Sequence, residues 1–244
     1  MGKDKKVKAF LLAAGLGTRL KPLTDHTPKV LLPIGNKPLL QYWFEDLARC
    51  GVKDALINTH WLNEQVESFA KENAGIYGLN ITISYESKLL GSAGTLLENR
   101  IWAKDASEIL IIYADNFTDF RLKNILDYHS THSKPFTLSV FETEQPKRCG
   151  IVQLDSKKNV IDFIEKPDKP QTNLAAGGIY VADSSILQEL GPWNYQTQGS
   201  YDLGKHVLPN LVGRMTAYII KGFFIDIGTP EAYEAALNWE GMNS

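Results

Sequence analysis

Cysteine is scarce in this 244-residue sequence, with only Cys50 and Cys149 present and far apart. No disulfide framework or CxxC metal knuckle is available, and two free thiols suit a reducing compartment. Long hydrophobic runs are missing too. No apolar stretch approaches the roughly 20 residues a membrane helix needs, and the opening MGKDKK has no apolar signal segment, so the chain reads as cytoplasmic with no membrane partner. Lys6 stands where an N-myristoylation signal after Met1-Gly2 wants Ser or Thr. Excess charge of one sign is also absent: 26 Lys and Arg against 28 Asp and Glu leave a formal net charge of -2. That balance excludes global attraction to nucleic acid, so any anion must be held by a local arrangement. Repeats, low-complexity tracts and a linker that would separate independent domains are missing as well.

What is present is a chain that is 43% hydrophobic and 22% charged, enough to bury a full core. Val7 to Ala14 is a short apolar run ended by glycine, which suits a buried strand followed by a helix. A helix is expected from Pro38 through LLQYWFEDLARC, with Gly51 as its C-terminal cap. DALINT, ITISYE, EILIIYA and FTLSVFET read as strands, and NEQVESFAKEN, TLLENRIW and LKNILDYH as helices between them. This alternation is that of a parallel α/β fold. After Phe141 the pattern changes. GIVQLD, the turn SKKN and VIDFIE read as an antiparallel hairpin, followed by a strand at GGIYVAD, helices at SSILQEL and LGKHVLPNLV, strands at MTAYII and FFIDI, and a closing helix PEAYEAALNWE. The expectation is one domain over 1–244 with two lobes, 7–120 and 136–225.

In open α/β sheets ligands sit beyond the carboxyl ends of strands, where Gly15 to Arg19 would lie. Glycines let backbone N–H groups approach a polyphosphate, Thr18 offers a hydroxyl and Arg19 a planar fork. Taken alone, the motif is as well explained by a strand-ending turn that needs glycine. It is a poor dinucleotide fingerprint, since Leu20 occupies the third glycine position, and a poor Walker loop, since no GKS or GKT follows. Asp226 interrupts the apolar run FFIDIG and would need a partner or a metal to offset its desolvation. Asp115 ends the apolar strand EILIIYA. His129 and His132 lie three apart on a helix, where a metal pair competes with a solvated face and the solvated face is the expected reading.

The continuation from Leu12 to Pro33, LAAGLGTRLKPLTDHTPKVLLP, resembles the signature of the sugar-1-phosphate nucleotidylyltransferases. The resemblance extends through Tyr85–Thr95, Tyr113–Asn116, Cys149–Pro167, Ala175–Tyr180 and Phe224–Glu231. It implies a Rossmann-like, mixed and mostly parallel sheet flanked by helices, with a small antiparallel sugar-binding lobe. It also implies an enzyme that joins a nucleoside triphosphate to a sugar 1-phosphate and releases pyrophosphate. By this resemblance Arg19 and Lys29 are catalytic. Leu12, Ala14, Gly15, Gly17, Thr18, Arg19, Glu86, Gly91, Ser92 and Gly94 bind the nucleotide. Gly150, Glu165, Lys166, Asn173 and Gly178 bind the sugar phosphate, and Asp115 and Asp226 hold Mg2+.

Departures from the family pattern are Ala114 for glycine before Asp115, Cys149 for tyrosine, and Ala176-Gly177 for Asn-Ala. The ending FFIDIGTPEAYEAA and the absence of a further C-terminal segment look most like guanylyltransferases for mannose 1-phosphate or a heptose 1-phosphate. Thymidylyl- and uridylyltransferases share the same motifs and stay open, as do a more distant cytidylyltransferase for choline phosphate and a non-catalytic nucleotide-sugar-binding regulator. No acid–base histidine is required, because the attacking phosphate oxygen is already ionised. A homo-oligomer is compatible with all of these readings.

Overall fold

The structure is a computed structural model that describes residues 5–193 and 199–243. It has the expected fold class, a mixed α/β sheet of Rossmann-like type flanked by helices, with small antiparallel ribbons beside it. In chain order the elements are β1 (Val7–Leu12), β2 (Pro33–Ile34), β3 (Lys37–Pro38), α1 (Leu39–Arg49), β4 (Asp54–Thr59), α2 (Asn63–Asn73), β5 (Asn80–Tyr85), α3 (Ser92–Glu98), β6 (Glu108–Tyr113) and β7 (Asn116–Thr118). There follow α4 (Leu122–His129), β8 (Phe136–Glu142), β9 (Gly150–Leu154), β10 (Val160–Glu165), β11 (Leu174–Asp183), α5 (Ile186–Trp193), β12 (Met215–Ile219), β13 (Phe224–Asp226) and α6 (Pro230–Asn243).

Two expectations about helices fail. No α-helix follows β1; the chain makes short 3-10 turns at Thr18–Leu20, Leu23–Asp25 and Lys29–Leu31 before α1 begins. Prolines at 22, 28 and 33 remove backbone donors and restrict the residues before them, so an α-helix cannot propagate through this stretch. LGKHVLPNLV is likewise no α-helix. It is a π turn at Leu203–Val207 followed by a 3-10 turn at Leu208–Leu211, with Pro209 unable to donate to an α-helical bond. The helix expected at TLLENRIW begins earlier, at Ser92, and ends at Glu98, with turns in place of its second half.

Contacts divide the chain into two units, each discontinuous in sequence. The first comprises Lys8–Leu89, Ile112–Leu122 and residues from Gly222 onward. Its strands β1, β4 and β5 are parallel, with Leu12 opposite Asn58 and Thr59 opposite Tyr85. In β1 and β4, residues on both sheet faces are buried, which accounts for their nearly continuous apolar sequence. The antiparallel ribbon of β13 and β7 places Asp226 opposite Asn116. Beneath it Leu20, Leu32, Leu39, Phe117, Ile227 and Ala236 form a buried cluster. Ribbon and cluster together fix the ends of three chain segments that are distant in sequence.

The second unit comprises residues 5–7, Leu90–Ile111 and Lys123–Lys221. Here β9 and β10 form the expected antiparallel hairpin, with Glu165 opposite Gly150. β11 runs antiparallel to both β9 and β8, and β12 is parallel to β8. Gly178 sits where the β11–β8 register shifts between Ala176 and Tyr180, a bulge that changes the direction of the strand. Among the described residues no helix is long and apolar enough to cross a membrane.

Candidate active site

In the first unit, β1 delivers the chain to an exposed loop in which Gly15, Thr18 and Arg19 face solvent. Gly17 has φ +65°, and a Cβ there would stand 2.8 Å from Thr24 Cγ2. The Thr24 hydroxyl donates to the Gly17 carbonyl at 2.7 Å, so Gly17 is required by the fold itself. Gly15 differs: a Cβ on it would meet nothing within 4 Å. Among the described residues, no main-chain carbonyl accepts from the amides of Gly15, Leu16, Gly17, Thr18 or Arg19; the next amide, Leu20, donates to Gly17 at 2.9 Å. An exposed row of free N–H groups ending at an arginine is suited to an anion. Because only a 3-10 turn follows, a long helix dipole adds nothing here.

The loop is held from behind by Asn58. Its Oδ1 accepts from the Ala13 amide at 2.7 Å, and its Nδ2 donates to the buried Glu86 carboxylate at 2.9 Å. The Leu12 carbonyl accepts from Ala114 at 3.0 Å, which ties β1 to the turn carrying Asp115, and Ala14 is buried beside it. Asn58 was not among the expected residues. Its signal is a polar side chain within the apolar strand DALINT, whose partners are visible only once β1 and β4 are in register.

Lys29 is 8% exposed and lies in the Lys29–Leu31 turn. Its ammonium donates to Asp115 Oδ2 at 2.6 Å and to Asp226 Oδ1 at 2.9 Å. The fold thus gathers one expected catalytic residue and both expected metal ligands around one point. Arg19 joins them, since a Cβ on Gly228 would meet Arg19 Nη2 at 2.6 Å and the Asp226 carboxylate oxygens at 3.0 Å. Burial alone would lower the Lys29 pKa, but Asp115 and Asp226 outweigh it and hold the ammonium above the usual lysine range. The Asp226 side chain is 52% exposed, so it is less desolvated than its place in an apolar run implies; its pKa is still raised, by desolvation first and by the neighbouring Asp115 charge second, with Lys29 and Arg19 opposing. Two carboxylates meeting on one cation form an oxygen-donor pair of the kind magnesium accepts, and the ammonium already stands in a cation's position.

In the second unit, Gly91 has φ +83°, and a Cβ on it would come within 2.5 Å of the Tyr201 carbonyl oxygen. That carbonyl accepts from the amides of Ala93 and Gly94, each at 3.0 Å, satisfying donors at the start of α3. Ser92 donates to Asp202 at 3.0 Å and accepts from the Leu203 amide at 2.8 Å. The expected Gly91–Gly94 loop is therefore bound to a segment, Tyr201–Leu203, that sequence reasoning had not connected with it.

Glu165 and Gly150 are cross-strand neighbours. A Cβ on Gly150 would lie 2.8 Å from Glu165 Oε2, and one on Gly204 would lie 2.6 Å from the same atom. The Lys166 ammonium is 3.7 Å from Glu165, and Lys166 itself adopts φ +50°, an uncommon conformation for a residue with a side chain. Desolvation raises the Glu165 pKa, Lys166 lowers it, and Asp202 raises it again. Asn173 is exposed, and its carbonyl accepts from the Thr143 amide at 2.9 Å. His129 departs from expectation: it is 3% exposed rather than solvated, because α4 turns that face inward.

A family profile described as Nucleotidyl transferase matches residues 8–240. Mannose-1-phosphate guanylyltransferase catalytic subunit beta of Drosophila melanogaster is 32% identical over 231 residues, covering 93% of this chain and 60% of that protein. Mannose-1-phosphate guanyltransferase of Schizosaccharomyces pombe is 32% identical over 232 residues, covering 93% and 62%. The chain thus spans about 60% of the length of these relatives. A solved structure of a putative glucose-1-phosphate thymidylyltransferase from Bacillus anthracis superposes with TM-score 0.84 at 23% identity, covering 96% of this chain and 95% of that one. UDP-glucose pyrophosphorylase complexed with UDP-glucose superposes equally well, at 0.84 and 24% identity over 97% and 99%. The profile match over nearly the whole chain, on a fold that carries the loop, lysine and carboxylates just described, makes this chain a member of the nucleotidyl transferase family.

Proposed function

We propose that the chain joins a nucleoside triphosphate to a sugar 1-phosphate, giving a nucleotide sugar and pyrophosphate, with GTP and mannose 1-phosphate or a heptose 1-phosphate as the pair. The observation that carries this reading is the Lys29 ammonium held between Asp115 and Asp226, in the unit whose glycine loop presents unengaged amides. The choice of guanine and mannose or heptose rests on the sequence resemblance and on the names of the similar fly and yeast proteins.

In this reading the amides of Gly15–Arg19 and the Arg19 guanidinium bind the triphosphate, and the open space at Gly15 admits it. Leu12 and Ala14 line the nucleoside side, and Glu86, Gly91, Ser92 and Gly94 hold base and ribose. Glu165 accepts hydrogen bonds from sugar hydroxyls, Lys166 neutralises the sugar phosphate, and Gly150, Asn173 and Gly178 shape its site. An ionised oxygen of the sugar phosphate attacks the α-phosphorus while the bond to the β-phosphate oxygen breaks. Lys29 and Arg19 offset the charge of the transferring and departing groups, and no proton needs to move. Asp115 and Asp226 would hold Mg2+, which when bound neutralises phosphate charge and orients the oxygens.

The test is to incubate the purified protein with Mg2+ and each of GTP, dTTP, UTP, CTP and ATP against a panel of sugar 1-phosphates, following pyrophosphate. Release with GTP and mannose or heptose 1-phosphate is expected. Release with another pair would replace the base or sugar assignment, and silence with a folded, nucleotide-binding protein would overturn the catalytic reading.

A further inference from the structure

A second group of ligand-bearing side chains lies wholly within the second unit, apart from every residue named in the proposed reaction. Glu108 begins β6, His129 ends α4 and Asp183 ends β11. Glu108 and His129 are buried, at 4% and 3% exposure, while the Asp183 side chain is 50% exposed. One ligand atom from each lies within 4.8 Å of the others. His129 Nε2 stands 3.6 Å from Asp183 Oδ1 and 4.0 Å from Glu108 Oε1. Both separations exceed a hydrogen bond. They are near the roughly 3.4 Å edge of a tetrahedron built from the ~2.1 Å bonds of zinc to imidazole and carboxylate.

The hydrogen bonds behind His129 allow two tautomers, one of which can ligate a metal. The Lys134 amide donates to His132 Nδ1 at 3.2 Å, so a neutral His132 carries its proton on Nε2. From there it donates to the buried Thr137 hydroxyl at 2.9 Å. His129 Nδ1 is 2.8 Å from the same hydroxyl oxygen. In the tautomer with its proton on Nδ1, His129 donates to Thr137 as His132 does and presents an Nε2 lone pair to a cation between Asp183 and Glu108; in the other, Thr137 donates to Nδ1 and Nε2–H faces the two carboxylates. A ligating histidine whose other nitrogen donates to a fixed oxygen is the usual outer arrangement of a metal site. Lys5 pairs with Glu108, yet its side chain is 52% exposed, so its ammonium can leave when a metal arrives.

We propose that Glu108, His129 and Asp183 bind a divalent cation of the zinc class, with solvent completing the shell on the exposed Asp183 side. The imidazole donor distinguishes this site from the all-oxygen pair Asp115 and Asp226, which suits magnesium. Bound there, the cation ties together the ends of β6, α4 and β11, a structural role that requires no nucleotide.

The test uses the full chain carrying Asp115→Asn and Asp226→Asn, so that the other carboxylate pair contributes no binding. The metal-free protein is titrated with Co2+, read by its visible absorption, and then with Zn2+, read by Co2+ displacement and thermal melting. The expected result is one Co2+ per chain, displaced by Zn2+, with a raised melting temperature. Asp183→Asn, at a half-exposed position, should weaken binding about tenfold or more, and Lys5→Ala should strengthen it by removing the competing cation. Absence of a Co2+ spectrum, or binding unchanged by Asp183→Asn and Lys5→Ala in folded protein, would overturn the proposal.

Discussion

Gly15 and Gly17 answer to different constraints. Gly17 has the left-handed backbone and the close Thr24 contact, so Gly17→Ala should cost about 1–3 kcal/mol of stability. Gly15→Ala should stay within about 0.5 kcal/mol of the parent and instead weaken nucleoside triphosphate binding. Urea unfolding and nucleotide titration of both variants check this; equal destabilisation would remove the argument that the open space at Gly15 serves a ligand. In the proposed reading the Asp226 carboxylate serves a metal at some expense of stability. Its pKa is raised by desolvation and by Asp115, so the folded state binds this proton more tightly than the unfolded state does. The charge therefore subtracts from stability as pH rises through the raised value. Asp226→Asn is expected to melt no lower than the parent while losing about 100-fold or more in turnover. For the same reason, Mg2+ affinity of the parent should fall on acidification at a pH above the ordinary aspartate range, which calorimetric titration at several pH values would register. Lys29→Ala should lower kcat and kcat/KM together, and an effect confined to KM would reassign Lys29 to ground-state binding.

At the scale of elements, the start of α3 depends on a carbonyl from a distant segment. Gly91→Ala would push a methyl group into the Tyr201 carbonyl and disturb the acceptor for Ala93 and Gly94. A loss of about 2 kcal/mol or more is expected on chemical unfolding; a neutral result would mean that the Tyr201 segment yields freely. Strands were legible because burial on both faces leaves an apolar run, as in DALINT and EILIIY, and α1 and α2 because their punctuation and periodicity are strong. The stretch after β1 was misread because helical expectation followed the fold pattern, whereas Pro22, Pro28 and Pro33 allow only short turns. His129 was misread because spacing alone does not say which face of α4 is covered. Its burial comes from β8 and β11, through Thr137 and Asp183.

At the scale of the whole molecule, the chain returns to each unit more than once, with residues 90–111 in one unit and 222–243 in the other. Substitutions at the proposed sugar site should show in the kinetics of that substrate. Glu165→Gln is expected to raise KM for the sugar 1-phosphate roughly tenfold, by weakening charge-assisted hydrogen bonds, with the KM for nucleotide unchanged. A shift in the nucleotide KM instead would move Glu165 out of the sugar role. By itself the sequence determined the fold class and singled out the glycine loop, Lys29, Asp115 and Asp226 as candidates, because these depend on local backbone demands and on short contiguous motifs. Only the tertiary structure decided that Lys29 lies between the two aspartates, that Asn58 braces the loop, that Tyr201 closes on Gly91 and that His129 is buried between carboxylates. Those are contacts between segments far apart in the chain, and they come into being when sheet register and core packing bring the segments together.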